Sequence, residues 1–224
     1  MGKTNGFMEA AFEEARAAGE RGEVPIGAVV VHDGEILGRA GNETRALNDV
    51  TAHAEILAIR RAAAAIGDER LIDADLYVTL EPCSHHGKTP PCANAIVASG
   101  IARVVVAVAD PDPRVSGRGL KILADADIEV TIGILQKEAR RAMAGYLTRQ
   151  TKGRPQVTLK LAVSADGMLG RKGAGQVAIT GPEARAEVHR LRAESDAILV
   201  GIGTALAACS TAEKSLGVNA DSSG

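Results

Sequence analysis

Residues 74–80 read "ADLYVTL", an apolar, β-rich run that leads directly into Pro82-Cys83. Such a run is a strand, and the proline stops its ladder. Before it, "TAHAEILAIRRAAAAIG" (51–67) has the pattern of a helix closed by Gly67. After it, "PCANAIVASG" (91–100) has proline at its start and Gly100 at its end, and "ARVVVAVAD" (102–110) supplies another strand. Helices and strands that alternate over such short distances restrict the fold to a layered α/β domain.

The flanking sequence extends the pattern. "FMEAAFEEARAAGER" (7–21) is an amphipathic helix with Phe7, Ala10, Ala11 and Ala15 on one face. "IGAVVVHDGEILGRAGN" (26–42) is a hairpin turning at Asp33-Gly34. "GRGLKILADA" (117–126) reads as a helix, "IEVTIGI" (128–134) as a strand and "LQKEARRAMAGYLTRQ" (135–150) as one helix. "TKGRP" (151–155) is polar and contains Gly and Pro, which places a domain boundary there. Beyond it, "QVTLKLAVSADG" starts a strand, "GPEARAEVHRLRAES" is a helix with Pro182 in its first turn, and "DAILVGIG" is a buried strand. Periodicity stops after Ala208. The expected organisation is a domain over 1–150, a partial domain over 154–207 and a disordered tail over 208–224.

Chemistry concentrates in "HAE" (His53-Ala54-Glu55) and "LEPCSHHGKTPPC" (80–92). Any one of His53, Cys83 and Cys92 alone reads as an ordinary core or helix residue. Taken together with Glu55 and the two prolines, they read as a zinc site. Imidazole and thiolate suit tetrahedral zinc, and three protein ligands leave a fourth position for water. Zinc of this kind makes hydroxide available at neutral pH. Glu55 can face the same cavity without binding metal and move a proton from water to the leaving nitrogen as general acid/base. The H-x-E and P-C elements follow the zinc-deaminase signature, but the second cysteine is nine positions on, not three. His85 and His86 compete as ligands. Cys92 is preferred, because adjacent loop histidines are usually surface or substrate contacts.

These residues carry two family resemblances. Residues 80–150, through "LEPCSHHGKTPPC", "ARVVVAVADPDP" and "VSGRGLKIL", resemble the deaminase half of the bifunctional riboflavin-biosynthesis deaminase/reductase. The resemblance implies a cytidine-deaminase-like α/β/α domain with a mixed sheet. In it, zinc is held by His53, Cys83 and Cys92, Glu55 is catalytic, and His85, Lys88 and Thr89 contact a phosphoribosylated diaminopyrimidinone. Residues 7–83, through "GEVPIGAVVV", "GRAGNETRALNDVTAHAEILAIRRA" and "RLIDADLYVTLEPC", are similar to bacterial tRNA-specific adenosine deaminase. There Asn42 stands where that enzyme holds its base. The two resemblances meet inside "YVTLEPC", as in a hybrid. Residues 154–207 resemble the start of the riboflavin enzyme's doubly wound NADPH-dependent reductase domain. This implies Ala162 and Thr204 as cofactor contacts and Arg192 as a substrate contact. Ala207, Ala208, Cys209 and Ser210 replace the family's "ADDP", and the segment is too short for the full sheet, so no reduction is expected of it.

Charge weighs on the choice of substrate. Residues 1–80 carry 8 basic and 14 acidic side chains, 81–153 carry 10 and 7, and 154–224 carry 8 and 7; −6 + 3 + 1 gives the net −2. An acidic first third argues against RNA as the substrate, so a phosphorylated pyrimidine is favoured; the alternatives are tRNA, or an inactive chimera that folds and only binds zinc. No apolar run suggests a membrane span or a signal peptide, and three cysteines without a framework suit a reducing cytoplasm. Deaminases of this fold commonly associate, so a homo-oligomer is expected.

Overall fold

The computed structural model describes residues 2–87, 90–169, 177–203 and 205–206. It separates into two compact units, Met1–Gln156 and Val157–Gly224.

The first unit is a three-layer α/β/α domain. Its element order is α1 (Gly2–Glu20), β1 (Gly27–His32), β2 (Glu35–Gly41), α2 (Ala54–Ile66), β3 (Asp75–Leu80), α3 (Cys92–Ser99), β4 (Arg103–Val108), α4 (Arg118–Asp125), β5 (Glu129–Ile132), α5 (Gln136–Ala142) and α6 (Ala144–Lys152). The five strands lie in the order β2-β1-β3-β4-β5. β1 is antiparallel to both β2 and β3, whereas β3–β4 and β4–β5 are parallel. The sheet is therefore mixed, as expected. The hairpin turns at Asp33 (φ 51°) and Gly34 (φ 80°), two left-handed residues that match the twist of the flanking strands.

Alternate side chains of each strand serve opposite layers. Ala28, Val30, Leu76, Val78, Val104 and Val106 pack under α2, α3 and α4. Val29, Val31, Tyr77 and Val105 pack against α1, α5 and α6, where Met8, Phe12, Met143 and Leu147 supply the bulk. Few aromatics are needed, because the helices lie very close to the sheet. A Cβ on Gly27 would fall 2.0 Å from the Ala11 carbonyl oxygen, and one on Gly38 would fall 2.2 Å from that of Ala58.

Two sequence expectations need correction here. The helix read over 135–150 is two helices, broken at Met143 (φ −108°, ψ 23°); the break lets both Ala139 and Leu147 reach the core. The strands read at 156–167 and 196–203 are not formed. In the second unit the only described regular element of eight residues or more is α7 (Pro182–Ala193), which has no buried residue. Leu199, expected inside a buried strand, is 99% exposed. A β-rich run pairs only where a partner strand covers its faces, and 157–203 contains no such pairing among its described residues. The first unit runs to Gln156, and α6 ends at Lys152, inside the boundary segment expected over 151–155. The tail over 208–224 lies outside the described residues.

Candidate active site

The C-terminal ends of parallel strands are where open α/β sheets place their chemistry. Here β3 runs out into Glu81, Pro82 and Cys83. Two helices start opposite it: α2 directly after His53, and α3 at Cys92. His53 is the residue preceding α2 (φ −74°, ψ 151°) and caps nothing with its own side chain. That task falls to Asn42, whose Oδ1 accepts the Ala54 N–H at 2.9 Å. The His53 ring is thereby free to face Cys92, with Nδ1 3.2 Å from Sγ. The Cys92 backbone N–H points at Cys83 Sγ, also at 3.2 Å.

The donor atoms of His53, Cys83 and Cys92 all lie within 4.8 Å of one another. Bond lengths of 2.0–2.3 Å put the donors of a tetrahedral zinc about 3.5 Å apart, so the set fits that ion after small side-chain adjustments. The electrostatics fit as well. The hydrogen bond from Cys92, aided by His53, pulls the Cys83 thiol down to about 4, against the opposing effect of burial. Cys92 is pushed up, by its hydrogen bond to Cys83 and by burial. One thiolate and one thiol thus share a proton in a place where a divalent cation would favour two thiolates.

Glu55 follows in the first turn of α2. It is 4% exposed, and burial raises its carboxyl to about 7 despite the opposing effect of His53. A carboxyl near neutrality, beside three metal-type ligands, is suited to giving and taking protons. A cavity of about 420 Å³ opens against His53 and Cys92 and is bordered also by Thr51, Arg60, Pro91 and Asn94.

Asn42 is buried, and with Oδ1 engaged its amide N–H₂ has no partner among the described residues. His85 is half-buried, and its Nδ1 is enclosed without a hydrogen-bond partner. Lys88 and Thr89 lie outside the described residues. In the second unit, Ala162 is half-buried in a stretch without regular structure, Arg192 is exposed near the end of α7, and Thr204 lies outside the described residues. No described hydrogen bond joins Ala162 to Arg192.

Sequence reasoning passed over the acidic residues that hold this region in shape. Glu81, 3% exposed, accepts the backbone N–H groups of Asp110 (3.1 Å), Gly117 (3.1 Å) and Gly119 (3.2 Å). It thereby fastens the 110–119 loop to the strand end that carries Cys83. Within that loop Arg114 holds the Asp112 carboxyl down to about 2, chiefly by side-chain hydrogen bonds, and the Arg114 carbonyl accepts from Ser84 Oγ at 3.1 Å. Glu23 does the same for the 44–46 loop, accepting from Thr44 Oγ1 and from the Arg45 and Ala46 N–H groups. The available signal was a charged residue at the end of an otherwise apolar strand, in "TLEPC".

The family model of the cytidine and deoxycytidylate deaminase zinc-binding region matches residues 1–108. A solved tRNA:A34 deaminase is 47% identical; the match spans 61% of this chain and 97% of that one, with a TM-score of 0.54. The chain belongs to this deaminase family. Residues 155–218 match the RibD C-terminal domain. The riboflavin biosynthesis protein RibD of Escherichia coli (strain K12) is 46% identical over 182 residues, which is 81% of this chain and 47% of that protein. A crystal structure from Thermotoga maritima, a diaminohydroxyphosphoribosylaminopyrimidine deaminase/5-amino-6-(5-phosphoribosylamino)uracil reductase, is 39% identical. It matches 91% of this chain and 57% of its own, with a TM-score of 0.76. The chain spans about half the length of the curated relatives it matches. No helix among its described residues is long and apolar enough to cross a membrane.

Proposed function

We propose that the chain is a zinc-dependent hydrolytic deaminase of a diaminopyrimidinone ribosylamino 5-phosphate, acting in riboflavin biosynthesis. The observation that carries this is the convergence of His53, Cys83 and Cys92 with the buried Glu55 at the end of β3, in a chain similar to RibD. His53 Nδ1, Cys83 Sγ and Cys92 Sγ hold the ion, which when bound supplies Lewis acidity that makes water nucleophilic at neutral pH. Glu55 accepts a proton from the attacking water and delivers it to the amino group that departs as ammonia; a carboxyl near neutrality can do both. Asn42 keeps the start of α2 in place with its Oδ1 and offers its N–H₂ to a carbonyl oxygen of the base. His85 Nδ1, enclosed and without a partner among the described residues, is available for a hydrogen bond to substrate, and Lys88 and Thr89, three and four positions on in the sequence, are side chains that suit its phosphate.

A second reading, deamination of adenosine in tRNA, is favoured by the 47% identity to the tRNA:A34 deaminase and by Asn42. The −6 charge of residues 1–80 (8 basic, 14 acidic) opposes it. The two are separated by ammonia release from zinc-loaded protein given either the pyrimidine phosphate or a tRNA anticodon stem-loop. Release from the pyrimidine alone is expected; release from the stem-loop alone, or from neither, overturns the proposal. The segment over 154–207, with Ala162, Arg192 and Thr204, is proposed as a vestigial NADPH-dependent reductase part that does not itself transfer hydride. NADPH oxidation dependent on the deaminated pyrimidine would refute this.

A further inference from the structure

A second cavity, of about 480 Å³, lies in the same domain on the α5–α6 side of the sheet. Ala109, Pro111, Ala144 and Leu147 supply its apolar lining, beside Thr148 and Thr151. Arg140 of α5, Lys152 of α6 and Ser116 of the 110–119 loop also line it. The helix break at Met143 is what brings Arg140 and Lys152, twelve residues apart in sequence, to one cavity.

Neither cation has an ion-pair or hydrogen-bond partner among the described residues. One acid, Asp110, borders the same cavity; its Oδ1 accepts from Tyr146 Oη at 2.7 Å and from the Asp112 N–H at 2.9 Å, and its carboxylate leaves the two cations with one net positive charge between them. The segment 136–154 carries Lys137, Arg140, Arg141, Arg149, Lys152 and Arg154 against Glu138 alone, a net of 6 − 1 = +5. The net positive charge of the cavity and of the helices around it favours an anionic ligand. The remaining capacity matches a particular ligand. Guanidinium, ammonium and hydroxyl donors suit a phosphate dianion, and the apolar lining suits a flat ring. The volume falls in the range of mononucleotide-sized sites.

We propose that this cavity is a binding site for a small phosphomonoester of nucleotide size, with Arg140, Lys152 and Ser116 holding the phosphate. The inference does not rest on the deaminase reading, since neither His53, Cys83, Cys92 nor Glu55 borders the cavity.

The test is equilibrium dialysis of the zinc-loaded full chain with inorganic phosphate, uridine 5′-monophosphate and uridine. Saturable binding of the monophosphate at about 1 mM or tighter is expected, with weaker phosphate binding and none of uridine at the same site. The R140A/K152A double variant should lose at least about tenfold in affinity, whereas R141A/R149A, which removes the same charge from the same two helices, should stay within about twofold. All four side chains are exposed, so both variants should keep the wild-type circular dichroism. Equal losses in the two double variants would mean diffuse charge attraction and overturn the site. So would unchanged binding in R140A/K152A, no binding of the monophosphate, or its displacement by an RNA hairpin at equal phosphate concentration.

Discussion

Glu81 provides the sharpest test of how the 110–119 loop is held to the end of β3 that leads to Cys83. Its carboxylate is 3% exposed and accepts three backbone N–H groups, those of Asp110 and Gly117 on Oε2 and that of Gly119 on Oε1. In Glu81→Ala all three lose their acceptor. The Gly117 donor is half-exposed and reachable by water. The Asp110 and Gly119 donors are buried, and each unsatisfied buried donor costs about 1–3 kcal/mol. The two together predict a loss of about 4 kcal/mol, a large part of the roughly 5–15 kcal/mol that holds such a domain. At a urea slope of about 2 kcal/mol/M this lowers the unfolding midpoint by about 2 M. Glu81→Gln keeps one oxygen. Turned toward Asp110 and Gly117, it leaves one buried donor facing an amide, so about 2 kcal/mol is lost. The assay is urea unfolding of the zinc-free protein followed by far-UV circular dichroism, which avoids stabilisation by bound metal. An Ala variant within about 1 kcal/mol of wild type, or a Gln variant as damaged as Ala, would show that the loop is held by something else.

Other expectations follow from the same geometry. Glu55→Gln should lower ammonia release by about 10²–10⁴-fold while zinc content, measured by atomic emission, stays at one per chain. In zinc-free protein the Glu55 carboxyl is raised by burial to about 7, so the folded state holds a proton that the unfolded chain releases near its ordinary value. Its contribution to stability is full below about pH 4.3 and is lost as pH rises through about 7. Subtracting the urea midpoint of Glu55→Gln from that of wild type at each pH isolates this term from Cys83, and a difference that grows from pH 5 to 8 would contradict it. Gly27→Ala would put a Cβ 2.0 Å from the Ala11 carbonyl oxygen and 2.5 Å from the Ala15 nitrogen, both helix backbone, so a loss of more than about 2 kcal/mol is expected. Thermal unfolding at the wild-type temperature would refute the tight packing of α1 on β1.

The sequence alone determined the layered α/β class and the set of metal-type side chains, His53, Cys83 and Cys92, that the fold brings together. Both rest on local chemistry that tertiary context had little freedom to change. β-rich runs such as "ARVVVAVAD" became strands within two residues of their expected limits. An imidazole, two thiols and a carboxyl at "HAE" and "PC" have few uses that require all of them together. Tertiary structure decided what depends on partners remote in sequence. Asn42 caps α2 across twelve positions, and Glu81 reaches Asp110, Gly117 and Gly119 across 29 to 38, so neither role shows in a local pattern. The run "VTLKLAV" has the same strand-like composition as β3 and β4, yet it forms no strand. A strand is stable only when neighbours take up its hydrogen bonds and cover its faces. β1, β3, β4 and β5 supply those neighbours to one another, and residues 157–163 receive none among the described residues.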